Sequence, residues 1–218
     1  MMVTQYQIML SASEPLKQTI SESQHCQRNW DLTRTIPDAD LDVFIHTVKE
    51  APTKQNRVFY KVKFVTDRDL IQRAYETTNS FWNEYKEEKI TNSQTLANLL
   101  VVFLEDKDHD RDHRTEDEWN QGKGKVGDYP IDPIDVAKAV GVCTGYLTLV
   151  ANLLGYQTGN YDARHRQDEF NEILDGKVLH CLGIGYKDPE KVWNRHHVED
   201  YNYTLYTKDV KTEIIKWE

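Results

Sequence analysis

The sequence predicts a single α+β domain, residues 1–218, in which helices flank a central sheet. Three segments have the β-branched and aromatic composition of strands: 58–65, 99–104 and 178–186. Helical periodicity lies between them, and the longest helical stretch, 132–154, is apolar nearly all round, which is typical of a buried helix. Hydrophobic residues make up 39% of the chain, which is enough for one core shared by these elements.

The overall charge and the cysteine content exclude several classes of protein. A net charge of -9 argues against nucleic acid or an anionic membrane as the main partner. We find no apolar run long enough to span a bilayer and no signal-peptide layout in the first ten residues, so we expect a cytoplasmic protein. The three widely spaced cysteines, Cys26, Cys143 and Cys181, indicate neither a disulfide framework nor a zinc site.

The first predicted helix, 15–28, ends in a cluster of hydrogen-bonding and cationic side chains. This cluster contains His25, Cys26 and Arg28, and an aromatic residue, Trp30, follows it. Taken alone, such a helix end is more often a solvated surface than a ligand site.

A second predicted helix begins after Pro37 and leads to a second polar cluster. Asp38 or Asp40 lies in its first turn, where the helix dipole favours negative charge. Its apolar face consists of Leu41, Phe44, Ile45 and Val48. The loop that follows, 51–56, contains a hydroxyl, an amine and two carboxamides.

The middle of the chain combines a helix with a buried strand. Residues 67–85 are predicted to be helical, with the apolar positions Leu70, Ile71, Ala74, Tyr75, Phe81 and Trp82. The strand 99–104 is continuously apolar, which indicates a central strand covered on both faces.

An acidic insert, 105–127, interrupts the pattern. It could form a calcium loop, but counting from Asp106 the sixth and twelfth positions hold Arg111 and Asp117 instead of glycine and glutamate. His109 and His113 could share a metal on a helix, although a solvated charged face explains them better. We therefore predict no metal site. A calcium-responsive interaction protein is a weaker functional hypothesis than the two that are given at the end of this subsection.

The C-terminal third begins where the longest helix is broken by the glycine-containing segment 155–161. A short helix, 170–174, ends at Gly176 and precedes the last strand. A basic cluster, 194–197, contains Arg195, and residues 210–217 form a tail that could cross to a second subunit.

These motifs, in this order, resemble the nitroreductase family of FMN-dependent NAD(P)H oxidoreductases over residues 15–200. The family's Arg-x-Ser-x-Arg/Lys signature corresponds to 24–28, and its Ala-Pro-Ser-x-x-Asn loop corresponds to 51–56. The segment 155–161 is similar to its Leu-Gly-x-x-x-Gly-x-Phe turn. Gly185 and Tyr186 are similar to its Ile-Gly-Tyr-Pro motif. Two departures stand out: Gln24 replaces the first basic residue and Cys26 replaces the serine.

The resemblance implies a nitroreductase-like fold with a mixed, mainly antiparallel central sheet and a long buried dimer helix. It implies that 133–154 forms the core of an intertwined homodimer; an ordinary core helix of a monomer is the competing interpretation. The insert 105–127 would be a lid over the substrate entrance. The implied activity is a ping-pong transfer of electrons from NADH or NADPH through FMN to a nitroaromatic, a quinone or another small electron-poor acceptor.

The resemblance also implies the roles of the site residues. Arg195 would bind the FMN phosphate and Arg28 the pyrimidine edge of the ring, with main-chain groups at Gly159 and Asn160 facing the flavin N5. The ribityl chain and ring would be lined by His25, Cys26, Pro52, Thr53, Lys54 and Asn56. No side chain need act as nucleophile or general base, because the cofactor carries the chemistry. The alternative is a diverged flavin-binding or flavin-consuming member without nitroreductase turnover.

Overall fold

The computed structural model describes residues 5–24, 26–78, 80–83, 88–106, 133–162, 167–190 and 210–215. His25, Arg195 and nearly all of the acidic insert, with His109 and His113, lie outside the described residues, so the predictions made for them stay predictions. Among the described residues, no group of three His, Cys, Asp or Glu side chains is placed to hold a metal ion.

Five helices and six strands are described. The helices are α1 (Gln5–Ser23), α2 (Asp38–Glu50), α3 (Arg68–Glu76), α4 (Pro133–Leu153) and α5 (Gln167–Ile173). The strands are β1 (Tyr60–Val65), β2 (Ser80–Asn83), β3 (Glu88–Thr91), β4 (Leu99–Glu105), β5 (Gln157–Tyr161) and β6 (Val178–Gly185). Short 3-10 turns span Lys54–Asn56 and Ser93–Leu96.

Four strands form an antiparallel sheet in the order β1-β4-β6-β5. Alternate residues of β4 enter two cores, because successive side chains of a strand point to opposite faces. Leu99, Val101 and Phe103 pack with α2 and α4, whereas Leu100 and Val102 pack with α3 and α5. The predicted central, doubly covered strand and the α+β class are thus confirmed.

Helix α1 differs from its prediction at both ends. It begins at Gln5, contains Pro15 and ends at Ser23, so residues 26–29 are not helical. Side chains close its last turn, since the Ser23 hydroxyl donates to Ile20 O at 2.8 Å and the Gln24 amide to Ser21 O at 3.0 Å. The helix prediction was therefore wrong for Gln24 and for 26–28.

Helix α3 is shorter than predicted. It ends at Glu76 because the hydroxyls of Thr77 and Thr78 donate to the carbonyls of Ala74 and Tyr75, at 2.8 and 2.7 Å. Phe81 and Trp82 lie instead in β2, which pairs with β3 as a separate two-stranded sheet. Aromatic residues favour strands once the helix has ended.

Helix α4 is buried on one side only, so the prediction that it is buried all round was wrong for the single chain. Its covered side contains Ala139, Val140, Cys143, Leu147 and Ala151. The opposite stripe leaves Ile134, Val142 and Tyr146 exposed by 59%, 40% and 50%, and open space surrounds Gly141 and Gly145.

The apolar length of α4 also corrects our expectation about membrane spans. Among the described residues, α4 is long and apolar enough to cross a membrane by length and composition. The core helix of a soluble protein passes the same test, and α4 contributes Val140, Cys143 and Leu147 to the core beneath the sheet.

Candidate functional site

The segment that follows α1 is held against the β5–β6 side of the sheet by main-chain hydrogen bonds. The N–H of Gln27 donates to Thr158 O at 2.7 Å, and the N–H of Asp31 donates to Tyr186 O at 2.9 Å. The N–H of Asp188 donates to Asn29 O at 3.1 Å. Two motifs that are more than a hundred residues apart in the sequence therefore meet at one place.

The side chain of Gln27 fixes the conformation of this segment. It is only 3% exposed, and its Oε1 accepts from the N–H groups of Arg28 and Asn29 at 2.8 and 3.0 Å. Two successive N–H groups that converge on one oxygen resemble the backbone nests that proteins use for anions. Here the chain supplies that oxygen itself.

Cys26 and Arg28 flank Gln27 and form one cluster with Asn160. The Cys26 thiol donates to Asn160 O at 3.6 Å, and Arg28 Nη1 donates to Cys26 O at 3.3 Å. Arg28 Nε is buried and has no hydrogen-bond partner among the residues that the structure describes. A buried, unsatisfied donor on a cation is costly, and a bound acceptor would remove that cost.

Burial raises the pKa of the Cys26 thiol, although the nearby Arg28 charge and the hydrogen bond to Asn160 partly oppose the shift. The thiol is therefore protonated at neutral pH. It acts as a weak hydrogen-bond donor, not as a nucleophile.

The 3-10 turn Ser93–Leu96 supports this cluster from the α3 side of the sheet. Trp30 Nε1 donates to Ser93 O at 2.7 Å, and the Ser93 hydroxyl donates to Arg28 O at 2.9 Å. Sequence analysis missed this turn. The polar run 92–95 ahead of an apolar strand was the available signal.

Gly159 has a structural role that differs from the one we expected. A Cβ at this position would lie 2.5 Å from Gln27 O and 2.7 Å from Gln94 Cβ. Its cross-strand partner Gly183 is equally crowded by Gln94. Within the described chain, glycine is thus required so that Gln27 and Gln94 can approach β5, whereas the sequence interpretation invoked approach to a flavin ring.

The loop 51–56 forms a second group of predicted site residues. Asn56 has a φ of 57°, in the left-handed region that asparagine tolerates, and the Thr53 hydroxyl donates to Arg57 O at 2.7 Å. Lys54 Nζ forms an ion pair with Asp135 Oδ2 at 2.5 Å. This ion pair ties the loop to the first turn of α4, whereas Cys26 and Arg28 are tied to β5.

A cavity of about 820 Å³ lies between α4 and the sheet. Its apolar wall includes Phe59, Val136, Val140 and Leu179. Of the predicted cofactor residues that the structure describes, Asn160 alone lines this wall, and its Oδ1 lies 3.0 Å from His180 Nε2. Sequence analysis missed His180, which lies inside a strand.

A second polar cluster joins α2 to the end of the sheet. The Tyr156 hydroxyl donates to Asp40 Oδ2 at 2.5 Å and lies 3.3 Å from the Tyr186 hydroxyl. Burial and the Asp40 carboxylate raise the pKa of Tyr156, and the Arg34 guanidinium lies 3.4 Å from the centre of the Tyr186 ring. Asp40 therefore anchors α2 in addition to lying in its first turn.

With this geometry described, known proteins can be compared with the chain. No protein-family model and no curated protein matches the sequence. Solved structures do match, and they define its fold as that of the nitroreductases. The predicted nitroreductase-like fold is thus confirmed.

Three of these structures illustrate the range of proteins to which the chain is similar. An FMN-dependent nitroreductase from Clostridium difficile is 17% identical, with 85% of this chain and 95% of that chain covered and a TM-score of 0.52. A putative nitroreductase, ydfN, from Bacillus subtilis is 14% identical over 89% of this chain and 100% of that chain, with a TM-score of 0.60. An iodotyrosine deiodinase bound to FMN and 3-iodo-L-tyrosine is 17% identical over 90% of this chain and 100% of that chain, with a TM-score of 0.54.

Proposed function

We propose that the protein is an FMN-dependent oxidoreductase. The observation that carries the proposal is the buried Arg28 Nε, which lacks a partner among the described residues beside Cys26 and Asn160. The nitroreductase motif has a flavin-binding cation at the position of Arg28. The FMN-dependent nitroreductase and the FMN-bound iodotyrosine deiodinase, both similar in fold, support the same cofactor.

The residues present fit this cofactor, since an acceptor on the flavin would satisfy Arg28 Nε. Arg28 would hold the pyrimidine edge of the ring, with Cys26, Gly159 and Asn160 beside it. Pro52, Thr53 and Asn56 would face the ribityl chain. Because the Lys54 charge is already compensated by Asp135, we assign the phosphate to Arg195, as the resemblance implies.

Bound FMN would supply two-electron chemistry between NADH or NADPH and a small electron-poor acceptor such as a nitroaromatic or a quinone. The chain's own contribution is binding, orientation and electrostatics. Arg28 contributes a guanidinium group, and the Cys26 thiol, whose pKa burial raises, keeps its proton at neutral pH.

We also propose that the active form is a homodimer with FMN between the subunits. The exposed stripe of α4 supports this, because Val142 and Tyr146 leave apolar area uncovered beside the small residues Gly141 and Gly145. The tail residues Ile214 and Ile215 are 82% and 88% exposed, which favours a docking place on a second copy. Cytoplasmic location stays a prediction.

A specific observation favours a second candidate, a flavin-binding protein without nitroreductase turnover. Gln24 replaces the usual first cation, and its amide donates to Ser21 O at 3.0 Å, so it closes α1 instead of offering a charge. The Cys26 thiol also donates more weakly than the usual serine hydroxyl.

A titration with FMN, followed by quenching of flavin fluorescence, tests the proposal. We expect saturation at one FMN per chain and at least about tenfold weaker binding in Arg28→Glu, because reversal of a charge at the ring edge removes a charge-assisted contact. Arg73→Glu is the matched control, since Arg73 is an exposed cation on α3 and is not one of the predicted cofactor residues. Equal weakening in both variants, or no saturable binding, would contradict the assignment.

A further inference from the structure

The peptide group that joins Arg28 to Asn29 is held at both ends by side chains. Its carbonyl oxygen, Arg28 O, accepts from the Ser93 hydroxyl at 2.9 Å. Its N–H, which belongs to Asn29, donates to Gln27 Oε1 at 3.0 Å. A peptide group is planar and includes the Cα atoms on both sides, so two bonds to opposite ends of the plane also fix the Cα of Arg28.

Ser93 is itself held in place by two sets of hydrogen bonds. Trp30 Nε1 donates to Ser93 O at 2.7 Å, and Trp30 is only 5% exposed. The turn that contains Ser93 is closed by Thr95, whose hydroxyl and N–H donate to Asn92 O at 3.0 and 3.2 Å. The Ser93 hydroxyl therefore projects from a turn of fixed conformation.

The neighbouring residue, Gln94, seats the same turn on the sheet. Gln94 is 6% exposed, and a Cβ added at Gly159 would lie 2.7 Å from its Cβ. A Cβ added at Gly183 would collide with Gln94 O. The turn is thus in close contact with β5 and β6, so it cannot shift toward the sheet when its bond to Arg28 is loaded.

The side chain of Arg28 has weaker restraints than its main chain. Nη1 donates to Cys26 O at the long distance of 3.3 Å, and the buried Nε has no partner among the residues that the structure describes. The main chain, by contrast, is bonded through its N–H to Gln27 Oε1 at 2.8 Å and through its carbonyl to Ser93. Because an arginine side chain has much rotamer freedom, the place of its guanidinium depends on this fixed main chain.

We propose that Ser93 is a positioning residue, whose hydroxyl holds the Arg28 guanidinium where negative charge develops on the reduced flavin. The inference rests on the proposed function. A cation that is already in place stabilises that charge without reorganisation, whereas a mobile cation must first be ordered. The Ser93 hydroxyl therefore favours the binding of reduced FMN over oxidised FMN and raises the potential of the bound flavin, although Ser93 acts only through Arg28.

A double-mutant cycle on Ser93→Ala and Arg28→Gln tests this inference. Potentiometric titration of the bound flavin, set against free FMN, gives the ratio of the affinities for reduced and oxidised FMN. We expect Ser93→Ala to lower this ratio about fivefold, which lowers the potential by about 20 mV, since tenfold corresponds to about 30 mV. In the Arg28→Gln background the same substitution should change the ratio by less than about 1.5-fold, because no guanidinium remains to be positioned.

Thr95→Val is the matched control for a structural role. It removes a second hydroxyl from the same turn, one that is fully buried and donates to Asn92 O. We expect it to lower Tm, since Asn92 O loses a donor, and to leave the affinity ratio unchanged. A wild-type ratio in Ser93→Ala, or an equal fall with and without the Arg28 guanidinium, would overturn the inference.

Amide hydrogen exchange in the FMN-free protein provides a readout that does not depend on the cofactor. The N–H of Asn29 lies in the peptide that Ser93 holds, so its exchange should be about tenfold faster in Ser93→Ala and within about twofold of wild type in Thr95→Val. If exchange accelerates in Ser93→Ala but no FMN binds, the anchoring of Arg28 stands and the proposed cofactor fails. If FMN binds and Ser93→Ala alters neither exchange nor the affinity ratio, the proposed function stands and this inference fails.

Discussion

The N–H of Gln27 donates to the carbonyl oxygen of Thr158 at 2.7 Å. This bond joins the loop after α1 to β5, and Thr158 is only 2% exposed, so the junction is inside the protein. It explains how Cys26 comes to contact Asn160 although the two residues are far apart in the sequence, and Arg28 in turn donates to Cys26 O. The position of Arg28 therefore depends on Gln27.

We predict that Gln27→Met destabilises the fold by about 1–3 kcal/mol, because the N–H groups of Arg28 and Asn29 lose the oxygen that satisfies them. Urea unfolding measures the change. Gln72→Met is the matched control, since the Gln72 amide makes only an exposed pair with Glu76, and it should change stability by less than about 0.5 kcal/mol. Equal midpoints and slopes for both variants would show that the Gln27 side chain does not hold the loop.

Arg28→Gln should retain FMN but lower its two-electron potential. A guanidinium at the N1/O2 edge meets little charge on the oxidised ring and nearly a full negative charge on the reduced one. It therefore stabilises the reduced flavin more than the oxidised flavin. If that difference is about 2–3 kcal/mol, the potential falls by several tens of millivolts, since about 30 mV corresponds to about 1.4 kcal/mol. Potentiometric titration of wild type and variant measures it. Identical midpoints with intact FMN binding would place Arg28 away from the ring.

The Cys26 thiol should lose its proton at a higher pH than an ordinary thiol, because burial raises its pKa. Its alkylation by iodoacetamide, followed peptide by peptide with mass spectrometry, should reach half its maximal rate at a higher pH in the folded protein than in the urea-unfolded chain. The folded chain holds this proton to higher pH, so the thiol's contribution to stability is present below the ordinary thiol pKa and is lost as the pH rises through the folded value. A lower midpoint in the folded protein would identify an activated thiolate instead.

Tyr146→Lys tests the proposed dimer. Tyr146 is 50% exposed on the single chain, so the monomer should tolerate the change, whereas a charge buried between two copies of α4 is costly. We expect sedimentation to show dissociation at concentrations where wild type is dimeric. Val43→Lys, at a residue 39% exposed on α2, is the control and should stay dimeric. A monomeric, FMN-loaded wild type would end the dimer proposal.

The sequence predicted the elements whose pattern is simple and local. The strand 99–104 was assigned to the sheet centre because every residue is apolar, and β4 is buried at each of those positions. Three of the four predicted apolar positions of α2, Leu41, Phe44 and Val48, lie in the core because they recur at helical spacing. The match in motif order was enough to predict the nitroreductase fold.

Features decided by tertiary contacts could not be predicted in the same way. The ends of α1 and α3 depend on side chains that bond to their own last turns, as at Ser23 and Thr77. Gly159 is required by Gln27 and Gln94, which are distant in sequence. His180 lies inside a strand, where no motif marks it.

The most direct test of the account is anaerobic addition of NADH, and separately NADPH, to the protein saturated with FMN, with the flavin absorption recorded throughout. We expect one of the two donors to bleach the bound flavin with a stoichiometry of one per FMN. A nitroaromatic or quinone added afterwards should restore the oxidised spectrum. Bound flavin that neither donor bleaches would contradict the oxidoreductase and leave the flavin-binding alternative, and a protein that binds no FMN at all would contradict both.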